Sequence, residues 1–298
     1  MKRARAWLPG LLLVSPSILL IGVFVYGLIG WNFRLALSDQ HNPIDDGDFV
    51  GFANFVALWQ EARWPAAVGN AVVFTVVFVG GALVMGWLLA LLLDKGIKGE
   101  STLRTIYLAP MAVSFIATGV VWRWLMNPAP ADRATGLNAL FVNLNLDFLV
   151  NSWWTAPNFG MAAMALPAIW QLSGYIMALF LAGFRGVSED LREAARVDGC
   201  SEWQVYWHVV MPQLRPVTLS AVIILGHMSL KVFDLIIAIA GKQIVADVPA
   251  VYMWDMVFEV RDPAKGATIA AYMLIAVAAF VIPYLVWSMR KERSEGRA

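Results

Sequence analysis

Residues 188–216 read SEDLREAARVDGCSEWQVYWHVVMPQLRP. Ser188 is a favourable helix N-cap, and Glu189 and Asp190 put negative charge in the first turn, where free N–H groups and the helix dipole welcome it. Leu191, Ala194 and Ala195 recur at i, i+3 and i+4, which makes a ridge of small apolar residues on one face. Gly199 supplies a residue able to take the positive φ that ends a helix. Ser201, followed three positions later by Gln204, is a capping-box pattern that starts a second helix. Pro212 and Pro216 then end that helix and lead into an apolar stretch. Segment 188–212 is therefore expected to be a helix, a glycine turn and a helix lying in water, with a ridge suited to docking against another protein.

Outward from this segment the chain becomes strongly apolar. Of its 298 residues, 60% are hydrophobic and 14% charged, against about 45–50% and about 25% in average soluble domains. The mean hydropathy is +0.66. Six stretches, 7–33, 69–93, 103–126, 160–184, 216–240 and 267–289, are long enough to cross about 30 Å of hydrocarbon as helices. The first exceeds the length of a signal-peptide core and contains no clear cleavage site, so it is expected to be retained. Lys and Arg set the orientation. Fourteen lie at the N-terminus, in the second–third loop with Arg104 at its edge, in the 185–215 loop and in the tail, and six lie in the other three loops. The basic side is cytoplasmic, so both termini are expected inside, with Asp45 and Leu140 outside. Trp153-Trp154 is expected to be an interfacial anchor, and residues 252–258 a short interfacial helix.

Several function classes are excluded by composition. A net charge of +1 gives no nucleic-acid signal, and the single Cys200 rules out an intrachain disulfide or a cysteine metal cluster. His41, His208 and His227 are scattered without HExxH spacing, and Gly241-Lys242 continues into Gln243, so there is no phosphate-binding P-loop. A self-contained secondary transporter or channel would need inverted repeats and coupling carboxylates in several spans, yet Asp234 is the only carboxylate well inside one. A membrane-embedded enzyme would need clustered catalytic groups at one depth.

Glu193-Ala194-Ala195, then Asp198-Gly199, then Met211-Pro212 resembles the EAA loop of ABC-importer permeases, in the position between spans where that family carries it. Phe49-Val50-Gly51 with Asn54-Phe55, Arg104-Thr105 with Pro110, Trp122-Arg123-Trp124 with Asn127-Pro128, and Phe233-Asp234 resemble the carbohydrate-uptake branch, in its MalF-like half. Gly241-Lys242-Gln243 departs from the Gly-Gly-Gly-Pro run that many relatives carry after the fifth span. The resemblance implies an all-α integral membrane protein with six transmembrane helices, the type I ABC importer permease fold, and a single permease domain over 1–298. It implies a multi-pass protein of a bacterial or archaeal inner membrane with no catalytic residue of its own. Its implied partners are a second permease subunit, two ATPase subunits that bind the ATP and Mg, an extracytoplasmic solute-binding protein and a sugar. Glu193, Ala194, Ala195, Asp198, Gly199 and Pro212 are then the implied ATPase-coupling residues.

Within the spans, Lys231 and Asp234 are three apart and are expected to share one helix face. Each alone costs roughly 2.5–3.5 kcal/mol at the bilayer centre, so they should pair or line a wet path. Gln171, Ser173 and Tyr175 are either interhelical ties or donors for sugar hydroxyls. Trp87, Trp122, Trp124 and Trp170 are either interface anchors or stacking faces for a sugar, and Arg123 is expected to snorkel to the outer interface.

Overall fold

The computed structural model describes residues 13–157 and 159–295. Lys2, Arg3, Arg5 and Arg297, and the start of the first apolar stretch at 7–12, lie outside them. Among the described residues the secondary structure is helical, with one isolated bridge between Ser38 and Phe49. Four helices are long and apolar enough to cross a membrane, and six spans result when each of two bent helix pairs counts as one.

Two compact units are formed. The first joins the described residues up to Trp64 with Tyr252–Ile275. Its first helix, α1 (Leu13–Ala36), is uncharged along most of its length and exposes Leu19, Phe24 and Leu28, a surface suited to lipid. Beyond it, Gly51 (φ 61°) turns the chain into α2 (Ala53–Gln60). The Asn54 amide donates to the carbonyls of Ala36 and Ser38 at 3.1 and 2.6 Å, closing the exposed end of α1. Phe55 packs edge-on against Tyr272, so the Asn54-Phe55 element joins loop to core. The expected short helix at 252–258 forms, with Tyr252 and Met256 buried and Val257 and Phe258 exposed. It belongs to Pro249–Asp255 and the wider turn Met256–Val260.

Glu61 organises the polar side of this unit. Its carboxylate accepts from Lys265 Nζ and the Tyr252 hydroxyl, both at 2.6 Å. Arg63 pairs with Asp255 at 2.6 Å and stacks over the Tyr252 ring.

The second unit comprises Pro65–Val251 and the described residues from Ala276. It is built on α3 (Arg63–Asp94, from Pro65 on), α4 (Glu100–Leu108), α5 (Phe115–Leu125), α6 (Gly136–Asn143), α7 (Gly160–Gly186), α8 (Glu189–Val197), α9 (Glu202–Gln213), α10 (Arg215–Leu230) and α11 (Asp234–Ala240). A final helix, α13, spans Pro263–Glu295, and α12 is Pro249–Asp255. The core centres on α7, which buries Met164, Ile176, Met177, Leu181 and Phe184 against Phe74 and Phe78 of α3. A Cβ on Gly119 of α5 would overlap the Ala238 methyl of α11, so these helices cross at backbone distance.

Two expected straight spans are broken. The stretch 103–126 bends by 97° between Glu100–Ala112 and Phe115–Leu125. Pro110 removes a donor there, and the Ser114 hydroxyl starts α5 afresh by accepting from Ala117 N–H. The stretch 216–240 ends its first helix at Leu230 and resumes at Asp234.

Trp153-Trp154 is not an interfacial anchor: both side chains are buried. Trp153 holds φ 46°, uncommon for a bulky residue. Its indole N–H donates to Asn138 Oδ1 at 2.7 Å. Asn138 is fully buried, donates to the carbonyls of Asn127 and Asn151, and accepts from Asn151 N–H.

Two predictions follow from these contacts. Asn138→Ala strands the Trp153 indole and the Asn151 amide, and each orphaned donor costs about 1–3 kcal/mol. Thermal unfolding in detergent is expected to show a loss of about 3 kcal/mol; a wild-type midpoint contradicts the tether. For Glu61, burial pushes the carboxyl pKa up, but the hydrogen bonds from Lys265 and Tyr252 outweigh it and hold the pKa below the ordinary 4.5. A depressed carboxyl stabilises the fold above its unfolded value and loses that contribution as pH falls through the folded one. Stability measured from pH 7 downward should therefore drop below about pH 4.5, and Glu61→Gln should flatten that drop. An unchanged slope in the variant rejects the assignment.

Candidate functional site

Helix α8 begins after Ser188, whose side chain makes no cap bond, with Glu189 and Asp190 in its first turn. It ends as expected at Gly199, with φ 85°. Gly199 N–H reaches Arg196 O and Cys200 N–H reaches Ala195 O, each at 3.0 Å, the paired bonds of a Schellman turn. Ser201 and Gln204 form the full capping box that opens α9. Across the turn, the Arg196 guanidinium lies 2.8 Å from both Glu202 and Glu189. Glu202 and then Glu189 raise the Arg196 pKa, and Arg196 lowers that of Glu202.

The ridge of small residues divides between two surroundings. Ala195 is buried against its own chain, while Ala194 and Glu193 are exposed, as are Leu191 and Val197 at 48% and 86%. The outward face is therefore Leu191, Ala194 and Val197, and Ala195 packs the helix down. On α9, Trp203 and Trp207 stack with ring centroids 6.1 Å apart and planes 14° apart. Trp87 of α3 meets Trp203 edge-on and donates to Met211 Sδ at 3.1 Å, so its position is set by packing. Pro212 lies exposed in the last turn of α9, ahead of a 66° bend into α10.

Arg192 fixes α8 to the rest of the unit. Its Nη1 lies 3.1 Å from Asp94 Oδ2 at the end of α3, and its Nη2 donates to Phe184 O of α7 at 2.6 Å. The Tyr206 hydroxyl of α9 donates to the same Asp94 oxygen at 2.6 Å. The Arg192 and Asp94 side chains are 10% and 6% exposed. Burial lowers the Arg192 pKa, but the Asp94 hydrogen bond and charge overcome this and raise it. Burial and then the Asp94 hydrogen bond push the Tyr206 phenol up to about 12. Sequence reasoning missed Asp94; the available signal was a lone carboxylate closing a helix with no other charge after Arg63.

Inside the unit lies a cavity of about 220 Å³. Its walls are Phe74 and Phe78 of α3, Phe115 of α5, Ala168 of α7, and the broken segment from Met228 to Leu235. Lys231 and Asp234 both line it and are exposed. They do not share a helix face: Lys231 caps the end of α10 and Asp234 opens α11, and no ion pair joins them among the described residues. An acid opening a helix is favoured by its dipole, which explains Asp234 without the lysine.

Gln171, Ser173 and Tyr175 are not among the cavity-lining residues. Gln171 is buried and donates at 2.5 Å to Val113 O, the carbonyl freed at the bend before α5. Ser173 is buried and donates to Trp170 O, and Tyr175 packs half-buried against the core. Trp122 and Trp170 face each other at 6.1 Å, while Trp124 and Arg123 are exposed near the end of α5.

The family described as binding-protein-dependent transport system inner membrane component matches residues 82–289. A probable ABC transporter permease protein of Pyrococcus horikoshii is 37% identical over 95% of this chain and 96% of its own. The xylose/arabinose import permease protein XacH of Haloferax volcanii is 32% identical over 91% and 85%. A solved bacterial alginate ABC transporter, in complex with an alginate pentasaccharide-bound periplasmic protein, contains a chain with the same fold. That chain has a TM-score of 0.78 and 21% identity, with 94% of this chain and 93% of that one covered. The chain belongs to this family and is an inner-membrane permease component of a binding-protein-dependent ABC importer.

Proposed function

We propose that this permease imports a carbohydrate, pairing with a second permease to enclose the path. The observation that carries the coupling part is the outward face of α8, held rigid by a Schellman turn and a buried ion pair yet left uncovered. Ala194, between Leu191 and Val197, supplies that face with Glu193 exposed beside it; Ala195, Asp198, Gly199 and Pro212 shape the turn and helices behind it. Two cytoplasmic ATPase subunits bind the ATP and Mg, and this chain contributes no catalytic group. ATP binding draws the ATPases together, the loop converts closure into helix tilting, and the cavity opens outward to the solute-binding protein. Hydrolysis resets it. The loop thus biases a two-state equilibrium.

The carbohydrate assignment is supported by the xylose/arabinose relative and by the cavity chemistry. Phe74, Phe78 and Phe115 offer apolar ring faces, and Lys231 and Asp234 offer a donor and an acceptor. At about 220 Å³ the cavity is smaller than the roughly 300–1,000 Å³ of complete ligand sites, as fits one wall of a path that a second subunit closes. The basic asymmetry of the loops supports cytoplasmic termini.

Topology is tested by labelling. In a Cys200→Ser background, cysteines at Asp45 and Leu140, both exposed, should react with an impermeant maleimide on intact cells; reaction only after lysis reverses the orientation. Coupling is tested at the outward face. Ala194→Trp should leave membrane insertion intact but reduce ATPase capture in pull-downs at least tenfold. Gly199→Val should lower binding-protein-stimulated ATP hydrolysis by a similar factor, because a β-branched residue tolerates positive φ badly. Wild-type behaviour of both variants would falsify the coupling assignment.

A further inference from the structure

Building on the coupling assignment, we infer that Arg192 is a clamp that joins the coupling helix to the two unbroken helices of the cavity wall, with Asp94 as its anchor on the second span. Four segments wall the cavity. Two of them are interrupted beside it, α4–α5 at Val113-Ser114 and α10–α11 at Lys231-Val232-Phe233. The other two, α3 and α7, stay helical past it, and the interior Pro167 of α7 lies beyond Ala168 from the clamped Phe184.

The Arg192 guanidinium holds both continuous helices at one end. One nitrogen takes Asp94, the last residue of α3, and the other takes the Phe184 carbonyl near the end of α7. Phe78 on α3 and Ala168 on α7 line the cavity. Each lies sixteen residues from its clamped partner, about 24 Å at 1.5 Å per residue. A continuous helix transmits displacement along its axis, whereas a broken one absorbs it in the break. Motion of α8 therefore enters the cavity wall through α3 and α7, and the interrupted segments yield in response.

The chemistry suits a clamp that must not slip. Arginine presents a planar fork that can engage two acceptors at once, which lysine cannot reproduce. The carboxylate is shielded from water and from salt, and Tyr206 fills its second bonding direction from α9. The exposed pairs of Arg196 lack that shielding and serve the turn alone.

The test follows the cavity wall with a cross-link that needs no knowledge of the solute. Thr75 Oγ1 of α3 lies 2.9 Å from Ser229 Oγ, beside the break in α10. Thr75→Cys with Ser229→Cys, in the Cys200→Ser background, is oxidised with copper phenanthroline in the assembled complex, with and without ATP and vanadate. In the parent complex, ATP–vanadate should change the cross-linking rate at least fivefold. Asp94→Ala, Arg192→Ala and their combination should abolish that response to the same extent, since either loss opens the clamp. Arg192→Lys should cut the response two- to threefold while membrane insertion and ATPase capture stay at parental levels.

A purely structural role would leave the response intact in every variant that assembles, and that result overturns the clamp, as does a parent complex with no response. If Asp94→Ala fails to accumulate, Arg192→Lys and Tyr206→Phe decide the matter. The two ideas are separable: capture of the ATPase by Ala194→Trp at parental levels, together with wild-type stimulation in Gly199→Val, removes the coupling assignment itself. Loss of capture there, together with a full response in Arg192→Lys, removes only the clamp.

Discussion

Hydrocarbon offers no hydrogen bonds, so every backbone group that leaves a helix within the membrane must find a partner in the protein. That constraint explains where the spans of this permease can break. At the bend before α5, the Val113 carbonyl leaves the helical ladder and receives the Gln171 amide from α7, while the Ser114 hydroxyl takes the free N–H of Ala117. The bend is affordable because α7 passes beside it with a suitable side chain. A polar residue deep in a span is thus a repair for the neighbouring helix, and its burial is the sign of that role. The cavity exists because two such interruptions stand opposite continuous helices.

The end that carries α8 and α9 obeys a different balance. Water satisfies backbone groups there, so local caps suffice to shape the loop, and the stronger interactions are those removed from water. The exposed pairs of Arg196 are worth little individually. The Arg192–Asp94 pair has its charges withdrawn from solvent, which makes the loss of one partner expensive because it leaves the other buried and uncompensated.

What was legible in the sequence was local. The Gly199 turn, the Ser201–Gln204 box and the acidic first turn of α8 are each settled by neighbours within a few residues, and each is found in the structure. The apolar stretches were equally plain because they need only length and composition. The breaks at 113–114 and 231–233 were not, since an apolar run reads the same whether its helix is continuous or bent. For that reason the i, i+3 spacing of Lys231 and Asp234 predicts one shared face, where the break instead puts them on two separate helix ends. Asp94 escaped notice because its partner lies 98 positions away, and Trp153-Trp154 looked interfacial until Asn138 drew them inward. Ala195 and Ala194 are identical in kind, and only the packing of α8 tells the buried one from the exposed one.

The tryptophan arrangement on α9 has an optical consequence. Two indoles stacked nearly parallel at 6.1 Å are close enough for their electronic transitions to couple, and the third, Trp87, approaches the pair edge-on from α3. The sign and size of such coupling depend on mutual angle. The near-ultraviolet circular dichroism of this permease therefore contains a contribution set by the orientation of α9 against the end of α3, so the chain carries a built-in chiroptical gauge of its own α8–α9 loop.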